Sequence, residues 1–431
     1  MKKIIEKIFY LTKYKTTVRG ELLAGLTGFF SVVYIIAVNS SILSDAGIAL
    51  EAGIIATILA SFLGCMIMGF LGNAPIMMVP GMGVNALFSY TIIKSMGLSV
   101  TEALTAVFIA GIIFSAITFT KLGDIITKSI SHSLKEAITV GIGIFITFIG
   151  FQKGGIIVAH QSNFVTLADL KNPLVLATLI NLAITLFLFI KDIKGNFLIS
   201  IILGTGVSYL LGLVDLSSIS FGGVSFKGYE NVFFKLDFGG LTSISFWTAV
   251  FSLVLVLVFE NLGLLNGYVN IMLKQPEKFK NSFKSTALSS ITCGILGTSP
   301  TIATVESAAA IAAGGKTGLT SIFTGILFIF SIFFLPLIKV IPNSAVAPIL
   351  IIIGSLMIKN VLNINFKDYT EGFPAFLIIT MIPLTYSIVD GMAFGFIAYP
   401  IAKLAANKKE DVSLPMYTIS IIFLINFILS I

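Results

Sequence analysis

The sequence predicts an all-α polytopic membrane protein with about 14 transmembrane spans. Of its 431 residues, 56% are hydrophobic and only 11% are charged, and the mean hydropathy is +1.04, whereas a soluble domain carries about 25% charged residues. The apolar stretches run uninterrupted, which excludes a porin-like barrel because its strands alternate apolar and polar residues. A spanning helix needs about 20 apolar residues. The chain therefore has room for a helical bundle and little else, and a soluble enzyme is excluded.

Charge-free stretches locate the predicted spans in chain order. Spans 1 to 7 fall at 22–44, two within 52–93, then about 103–120, 137–151, 173–190 and 195–214. A more polar connection, 215–245, precedes the second half. Spans 8 to 14 fall at about 246–268, two within 285–315, then 317–338, 343–358 and two short spans within 373–402, joined near Asp390 and Gly391. A last apolar segment, 414–431, is either a further span or a helix in the membrane interface.

The distribution of positive charge predicts the orientation. The chain has 27 Lys and Arg against 20 Asp and Glu, a net charge of +7, and the cytoplasmic loops of membrane proteins collect Lys and Arg. With a cytoplasmic N-terminus, lysines cluster after even-numbered spans, among them Lys121 and Lys128 after span 4. We therefore expect a multi-pass protein of the inner (cytoplasmic) cell membrane, in contact with lipid and not with nucleic acid.

Cys65 and Cys293 lie in apolar runs and only two histidines occur, so neither a disulfide framework nor a metal site is predicted.

Two spans are interrupted in matching positions. Span 3 contains Pro80, Gly81 and Gly83, and the region of span 10 reads Gly-Thr-Ser-Pro-Thr over 297–301. Pro and Gly disfavour a continuous helix, and irregular backbone at membrane depth is tolerated only where it lines a cavity or packs in protein. With seven spans per half, spans 3 and 10 occupy the same place in a 7+7 inverted repeat, which is the pattern of a transporter's midplane site. The alternative is a packing kink in each span.

Two carboxyl groups stand alone in apolar stretches. Glu260 is the only charge between residues 238 and 272, and Glu306 is the only charge between residues 285 and 315. Intramembrane carboxylates are costly and are functional candidates by default; the alternative is a protonated packing residue. Helices are predicted to restart near Asn85 and Glu306, where free N–H groups suit the acceptor atoms of a ligand. Asp390, at the predicted turn between spans 13 and 14, is interpreted as a turn or helix-cap residue.

Several segments resemble one known family. Residues 80–86, Pro-Gly-Met-Gly-Val-Asn-Ala, are similar to the P-G-M-G-x-N-A motif of the azaguanine-type purine permeases. These form a branch of the nucleobase–ascorbate transporter superfamily, the xanthine/uracil permease type. Residues 297–299, 305–309 and 313–320 look like its span-10 region, and 383–391 look like its span 13–14 region. The matches occur in order over almost the whole chain.

The resemblance implies an architecture and an activity. It implies two inverted repeats of seven spans, with short extended segments in the broken spans 3 and 10. It implies a core domain from 19–122 and 245–338 and a gate domain from 133–214 and 340–406, which follow the cytoplasmic N-terminus, 1–18, that the charge distribution predicts. It also implies a homodimeric transporter that takes up a purine nucleobase, and not an enzyme. The proton is the implied coupling ion, and no other cofactor is implied.

The resemblance also assigns site residues. By position, Glu260 and Glu306 match the family's two substrate-contacting acids, and Asn85 matches its polar residue in span 3. The predicted substrate site includes these three residues and their neighbours Gly83, Val84, Phe259, Asn261 and Val305. Glu260 and Glu306 are also the predicted proton-coupling residues, and no metal ligand is predicted.

The sequence departs from the family pattern in span 8. The family usually reads D-x-F-D-T-x-G-T there, whereas residues 257–264 read Leu-Val-Phe-Glu-Asn-Leu-Gly-Leu, closer to the E-S-x-G of the uracil and xanthine branches.

Guanine or hypoxanthine is the predicted substrate because a carboxylate accepts two parallel N–H bonds, and adenine offers an acceptor where the carboxylate needs a donor. Another nucleobase, namely uracil, xanthine or adenine, stays open as the alternative.

The predicted mechanism is alternating access, in which the core moves against the gate and Glu260 carries the proton. Two rival functions come from other classes. An anion carrier of the same fold would be expected to avoid two unpaired acids at its site. A membrane-embedded enzyme would need a metal or nucleophile motif such as H-E-x-x-H, which the sequence lacks.

Overall fold

Helices make up most of the chain in its computed structural model, which describes residues 2–120, 129–162, 164–216, 226 and 228–430. The predicted all-α class is confirmed. Long apolar runs fold as helices because a helix pairs its backbone groups internally, which a bilayer requires. Lys121, Lys128 and the predicted domain limit at residue 122 lie outside the described residues.

The first half contains nine of the helices numbered here and three of the strands. They are α1 (Lys2–Phe9), α2 (Val18–Val32), α3 (Ile35–Asp45), α4 (Leu50–Ile67), β1 (Met78–Pro80), α5 (Met82–Ala86), α6 (Val100–Phe119), α7 (His132–Lys153), β2 (Ile157–His160), β3 (Phe164–Leu167), α8 (Pro173–Ile190) and α9 (Asn196–Leu210). Helix α4 continues as a π-helix over Met68–Gly72, and α5 continues in the same way over Leu87–Ser95.

The second half repeats the alternation of long helices with one broken segment. Its elements are α10 (Ile244–Leu265), α11 (Phe279–Leu296), β4 (Thr301–Ala303), α12 (Ser307–Ala312), α13 (Gly318–Phe330), α14 (Leu335–Lys339), α15 (Asn343–Met357), α16 (Tyr369–Thr385), α17 (Ile388–Ala405) and α18 (Leu414–Ser430). Helix α10 continues as a π-helix over Asn266–Met272, and α15 continues as a 3-10 helix over Ile358–Asn363.

Within the described residues, nine helices are long and apolar enough to cross a membrane. They are Val18–Asp45, Leu50–Gly72, Val100–Phe119, His132–Lys153, Pro173–Ile190, Ile244–Met272, Gly318–Lys339, Asn343–Asn363 and Ile388–Ala405. Asn196–Leu210 and Leu414–Ile425 are shorter apolar helices. The count of 14 spans is not confirmed and stays a prediction.

The two broken spans meet in a short antiparallel sheet. Strand β1 pairs with β4, with Val79 opposite Ile302 at the centre, and every residue of both strands is buried. The pairing satisfies backbone groups that irregular segments would otherwise leave exposed to the apolar interior. The predicted extended segments in spans 3 and 10 are thus confirmed. One boundary was wrong: the helix after β1 begins at Met82, not near Asn85, because the extended Gly81 ends the strand and caps the helix at once.

The join between spans 13 and 14 also differs from its prediction. Helix α16 ends before Tyr386, whose φ of 57° is left-handed, and α17 begins after Ser387. The Ser387 hydroxyl accepts a hydrogen bond from the Asp390 N–H over 3.2 Å, so Ser387 is the N-cap. Asp390 and Gly391 therefore lie in the first turn of α17 and not at the join.

The long helices pack in two groups. The first packing group contains α2, α3, α4, α6, α10, α11 and α13. The second packing group contains α7, α8, α9, α15, α16 and α17. The β1–β4 sheet lies within the first packing group, where β1 packs on α4 and β4 packs on α10 and α11.

The last apolar segment folds as α18 and packs against both groups. The Phe423 ring stacks on Phe396 of α17, with centroids 5.6 Å apart, and packs edge-on against Phe251 of α10, with centroids 5.8 Å apart. The Ser420 hydroxyl donates to the Phe396 carbonyl over 2.6 Å. These contacts fix the helix against the bundle.

Glu21 of α2 caps the start of α13. Its carboxylate, fully buried, accepts hydrogen bonds from the N–H groups of Lys316 and Thr317, over 3.0 and 3.1 Å, and from the Thr320 hydroxyl over 2.6 Å. Carboxylates stabilise helix N-termini because the first N–H groups lack partners within the helix. The first span is thus tied to the segment at 313–320 that resembles the family.

We expect Glu21→Ala to destabilise the protein by about 3 kcal/mol, because it removes three hydrogen bonds to a buried carboxylate. Thermal unfolding in detergent measures the change. Glu102→Ala is the control: Glu102 belongs to an exposed capping box with Ser99 on α6, where the loss should stay near 1 kcal/mol. Equal losses in the two variants would contradict the assigned role of Glu21.

Candidate functional site

The β1–β4 sheet brings α5, α10 and α12 together. Asn261 on α10 fixes β4, since its Oδ1 accepts the Ala303 N–H over 3.0 Å and its Nδ2 donates to the Leu257 carbonyl over 2.8 Å. Both polar groups of this buried side chain are therefore occupied by backbone. Asn261 holds the sheet beside its neighbour Glu260.

The Glu260 carboxylate lies against the start of α5. A Cβ at Gly83 would lie 2.5 Å from Glu260 Oε1, and a Cβ at Gly81 would lie 3.7 Å from Oε2. The glycine at residue 83 therefore leaves the space that the carboxylate occupies. Among the described residues, Oε2 is shielded from solvent and has no hydrogen-bond partner. A buried acceptor without a partner suits a ligand that brings a donor.

Glu306 is the N-cap residue of α12, as predicted for the restart of that helix. Its Oε1 accepts a hydrogen bond from the Tyr34 hydroxyl over 2.5 Å. The Tyr268 hydroxyl donates to the Thr304 carbonyl over 2.9 Å, just before the acid. Sequence reasoning missed both tyrosines. The only available signal was a phenol in an apolar span, which usually finds a polar partner when buried.

Asn85 joins a buried polar network between the two broken spans. Its Oδ1 accepts a hydrogen bond from the Ser299 hydroxyl, whereas its Nδ2 is buried without a partner in the described part of the chain. Asn39 on α3 donates to Thr57 over 2.8 Å and to Thr298 over 3.1 Å. The network fixes span 3 against span 10 and leaves one amide donor available.

The remaining predicted site residues have different surroundings. Val84 is fully buried, so its side chain packs in the interior, and only its backbone remains available to a ligand. The Phe259 ring faces the Lys135 ammonium of α7, 5.8 Å from the ring centroid. Val305 is 62% exposed, so the chain before Glu306 borders open space. The structure thus places Glu260 beside Gly83 and Glu306 beside Tyr34.

Exposure along α10 distinguishes the two ends of the bundle. Residues 252–258 are buried, but beyond Glu260 the residues Gly263, Asn266 and Asn270 are exposed along one helical face. Asn270 Nδ2 donates to Asn266 Oδ1 over 2.6 Å. We call this face, which carries two exposed asparagines, the polar face of α10. It runs from Glu260 toward the end of the bundle that holds the N-terminal segment, where the Tyr14 hydroxyl donates to Glu277.

At the opposite end, an ion pair joins the two packing groups. Lys153 Nζ, at the end of α7, lies 2.6 Å from Asp45 Oδ2, at the end of α3, and the Lys153 side chain is 8% exposed. The Tyr90 hydroxyl donates to the same Asp45 oxygen over 2.5 Å, and the Tyr90 ring packs edge-on against Tyr386, which follows α16. Lys153 also donates to the Ser41 hydroxyl over 2.9 Å. We call this cluster the far seam; it closes the boundary between the groups at that end.

Comparison with known proteins places these features in context. The sequence model of the Permease family matches residues 19–394. The chain is 50% identical over 382 residues to the nucleobase transporter PlAzg2 of Paenibacillus larvae subsp. larvae, covering 88% of this chain and 76% of that protein. It is 37% identical over 436 residues to the guanine/hypoxanthine permease PbuO of Bacillus subtilis, covering 97% and 99% of the two chains.

Solved structures show the same fold. The transmembrane domain of the cyanobacterial bicarbonate transporter BicA superposes with a TM-score of 0.66 at 16% identity, over 87% of this chain and 96% of that one. At this identity the likeness concerns the fold alone. The polytopic helical fold predicted from composition is therefore found in a solved membrane transporter.

Proposed function

The chain belongs to the Permease family, and from this membership we propose that it is a secondary transporter that imports a purine nucleobase with protons. It is a transporter and not an enzyme. Guanine or hypoxanthine is the substrate we favour. The observation that carries the proposal is the Glu260 carboxylate, which presents a shielded, unpaired oxygen in the described structure beside the glycine-lined start of α5.

The chemistry of the site suits a flat, neutral base with adjacent N–H donors. A carboxylate accepts two parallel N–H bonds in a charge-assisted geometry. The free Nδ2 of Asn85 would donate to a carbonyl or ring nitrogen of the base. A site that leaves buried groups unpaired with the wrong base discriminates strongly. Names of the relatives agree, since one is a nucleobase transporter and the other a guanine/hypoxanthine permease.

Glu260 and Glu306 are the groups we propose for proton coupling. Both lie in apolar segments, and within the described residues neither forms an ion pair with a lysine or arginine. A proton that enters with a neutral base carries one charge, worth about 2.3 kcal/mol per 100 mV. Since about 1.4 kcal/mol corresponds to a tenfold concentration ratio, one proton per base drives roughly fiftyfold accumulation of the base at about 100 mV.

We propose that the protein works by alternating access, in which the two packing groups move against each other. We propose that the first packing group is the core domain and the second is the gate domain. The polar face of α10 runs from Glu260 to the end that holds the basic N-terminus, which we place in the cytoplasm, whereas the far seam is closed. We therefore propose that this arrangement is an inward-facing state of a cell-membrane protein. A homodimer is the assembly we propose from the family resemblance.

Transport assays in proteoliposomes test the proposed function. We expect the purified protein to accumulate radiolabelled guanine or hypoxanthine under an inwardly directed proton gradient, and to lose accumulation when the gradient is collapsed. Xanthine, uracil and adenine in the same assay test the alternative bases. Bicarbonate tests the anion carriers that share the fold. Uptake of bicarbonate and of no nucleobase would overturn the proposal.

Gly83→Ala tests the glycine beside Glu260. The new methyl group would lie 2.5 Å from Glu260 Oε1 and 3.1 Å from Ile142 Cγ2, so the carboxylate must move. Misplacing a positioned group by about 1 Å can reduce activity by up to about a hundredfold. We therefore expect the KM for the base to rise about tenfold or more. Gly206→Ala, with open space around its Cβ, is the control. An unchanged KM in Gly83→Ala would show that the Glu260 position does not matter.

A further inference from the structure

Tyr34 touches the candidate site from a span that the motifs did not assign to it. It lies at the turn between α2 and α3 and is 4% exposed. Its hydroxyl donates to Glu306 Oε1 over 2.5 Å. A phenol of the first span thus binds the acid that caps α12 in the second half of the chain.

The Tyr34 hydroxyl holds one oxygen of the Glu306 carboxylate, Oε1. The adjacent Val305 is 62% exposed, so packing does not enclose the chain on that side. A binding group works only when neighbouring contacts fix its rotamer. The Tyr34 hydroxyl occupies one of the roughly four lone-pair sites of an ionised carboxylate, so the carboxylate keeps acceptor capacity for a ligand.

The Tyr34 ring is itself held by the second packing group. It packs edge-on against Phe197 of α9, with centroids 4.9 Å apart, and Phe197 stacks on Phe189 of α8, with centroids 5.9 Å apart. The hydroxyl therefore has a fixed position between the acid of one group and the aromatic residues of the other. The contact would change if the two groups moved against each other.

We propose that Tyr34 is the positioning residue for Glu306. Its hydroxyl holds the carboxylate in the orientation that presents the remaining acceptor sites to the nucleobase, and Phe197 keeps the ring in place. The inference rests on the proposed function. It adds a residue of span 1 to a site that the family motifs assign to spans 3, 8 and 10.

Tyr34→Phe is the direct test, because it removes the hydroxyl and keeps the ring that packs on Phe197. Initial rates of hypoxanthine and guanine uptake are measured in proteoliposomes, with the unchanged protein in parallel. We expect the KM to rise about tenfold while Vmax stays within about twofold, because a hydrogen bond to a charged group is lost. The melting temperature of the purified variant shows whether it is folded.

Tyr229→Phe is the matched control, since that buried hydroxyl donates to the Leu296 carbonyl over 3.1 Å and not to either acid; its KM should not change. Phe197→Leu is the second variant, and we expect a smaller rise in KM in the same direction. A folded Tyr34→Phe with an unchanged KM, or with only Vmax reduced, would overturn the role of Tyr34. Failure of the unchanged protein to transport any base would instead overturn the proposed function.

Discussion

Replacing Glu260 with Gln should abolish proton-driven accumulation of the base. Gln cannot release a proton, so the step that couples substrate to the gradient is lost. The Gln amide also has an NH2 donor where the carboxylate has an acceptor oxygen. An N–H donor of the base would then face another donor. Losing a hydrogen bond to a charged group costs about 1.5–3 kcal/mol, so we expect affinity to fall about tenfold to a hundredfold as well.

Two measurements separate these effects. Uptake with and without a proton gradient reports coupling, and a thermal shift with added hypoxanthine reports binding. Glu230→Gln, at an exposed carboxyl in the connection before α10, is the control and should behave as the unchanged protein. Glu306→Gln, measured in the same way, shows whether the second acid shares the proton. Gradient-driven accumulation by folded Glu260→Gln at the original rate would remove Glu260 from the mechanism.

The chemically costly features of the site were predictable from the sequence. Lone carboxyls such as Glu260 and Glu306, and prolines within spans such as Pro80, stand out because apolar surroundings make them expensive. The extended segments at β1 and β4 follow from the same reasoning, since broken helices need partners for their backbone groups. Length, composition and charge were enough to predict the fold class.

The partners of these residues were not predictable. Tyr34 and Glu306 lie 272 residues apart in the chain. Glu21 lies 295 residues from Lys316, whose N–H donates a hydrogen bond to it. No spacing rule connects such positions, because tertiary packing alone decides which spans are neighbours. Asn261 illustrates the converse: its place beside Glu260 suggested a ligand contact, but the fold uses both its polar groups to hold β4 and α10.

Breaking the ion pair of the far seam should shift the protein toward its outward-open state. Asp45 and Lys153 belong to different packing groups, so their attraction holds the seam closed only while the groups are in this arrangement. Removing one partner of a buried pair leaves an uncompensated charge and costs up to 3–5 kcal/mol. The Asp45 side chain is 29% exposed, so we expect a smaller shift, about tenfold in the equilibrium between the two states.

Thiol labelling measures this shift. Ala46 follows Asp45 and is 7% exposed, and the native Cys65 and Cys293 are fully buried. In an Ala46→Cys background, Lys153→Met should raise the rate of reaction with a membrane-impermeant maleimide added from outside about tenfold. Transport should fall in parallel, because the inward-facing state is populated less.

Two further variants decide whether the pair itself is responsible. The exchange of both charges, Asp45→Lys with Lys153→Asp, restores attraction and should return labelling toward its original rate. Glu51→Gln removes another ion pair, the one with Lys339. This pair joins α4 to α14, which pack on each other, and does not cross the far seam. Labelling should therefore not change. If Lys153→Met and Glu51→Gln raised labelling equally, general loosening would be the cause and the far seam would have no gating role. If Lys153→Met left labelling unchanged, other contacts between the groups would hold that end closed.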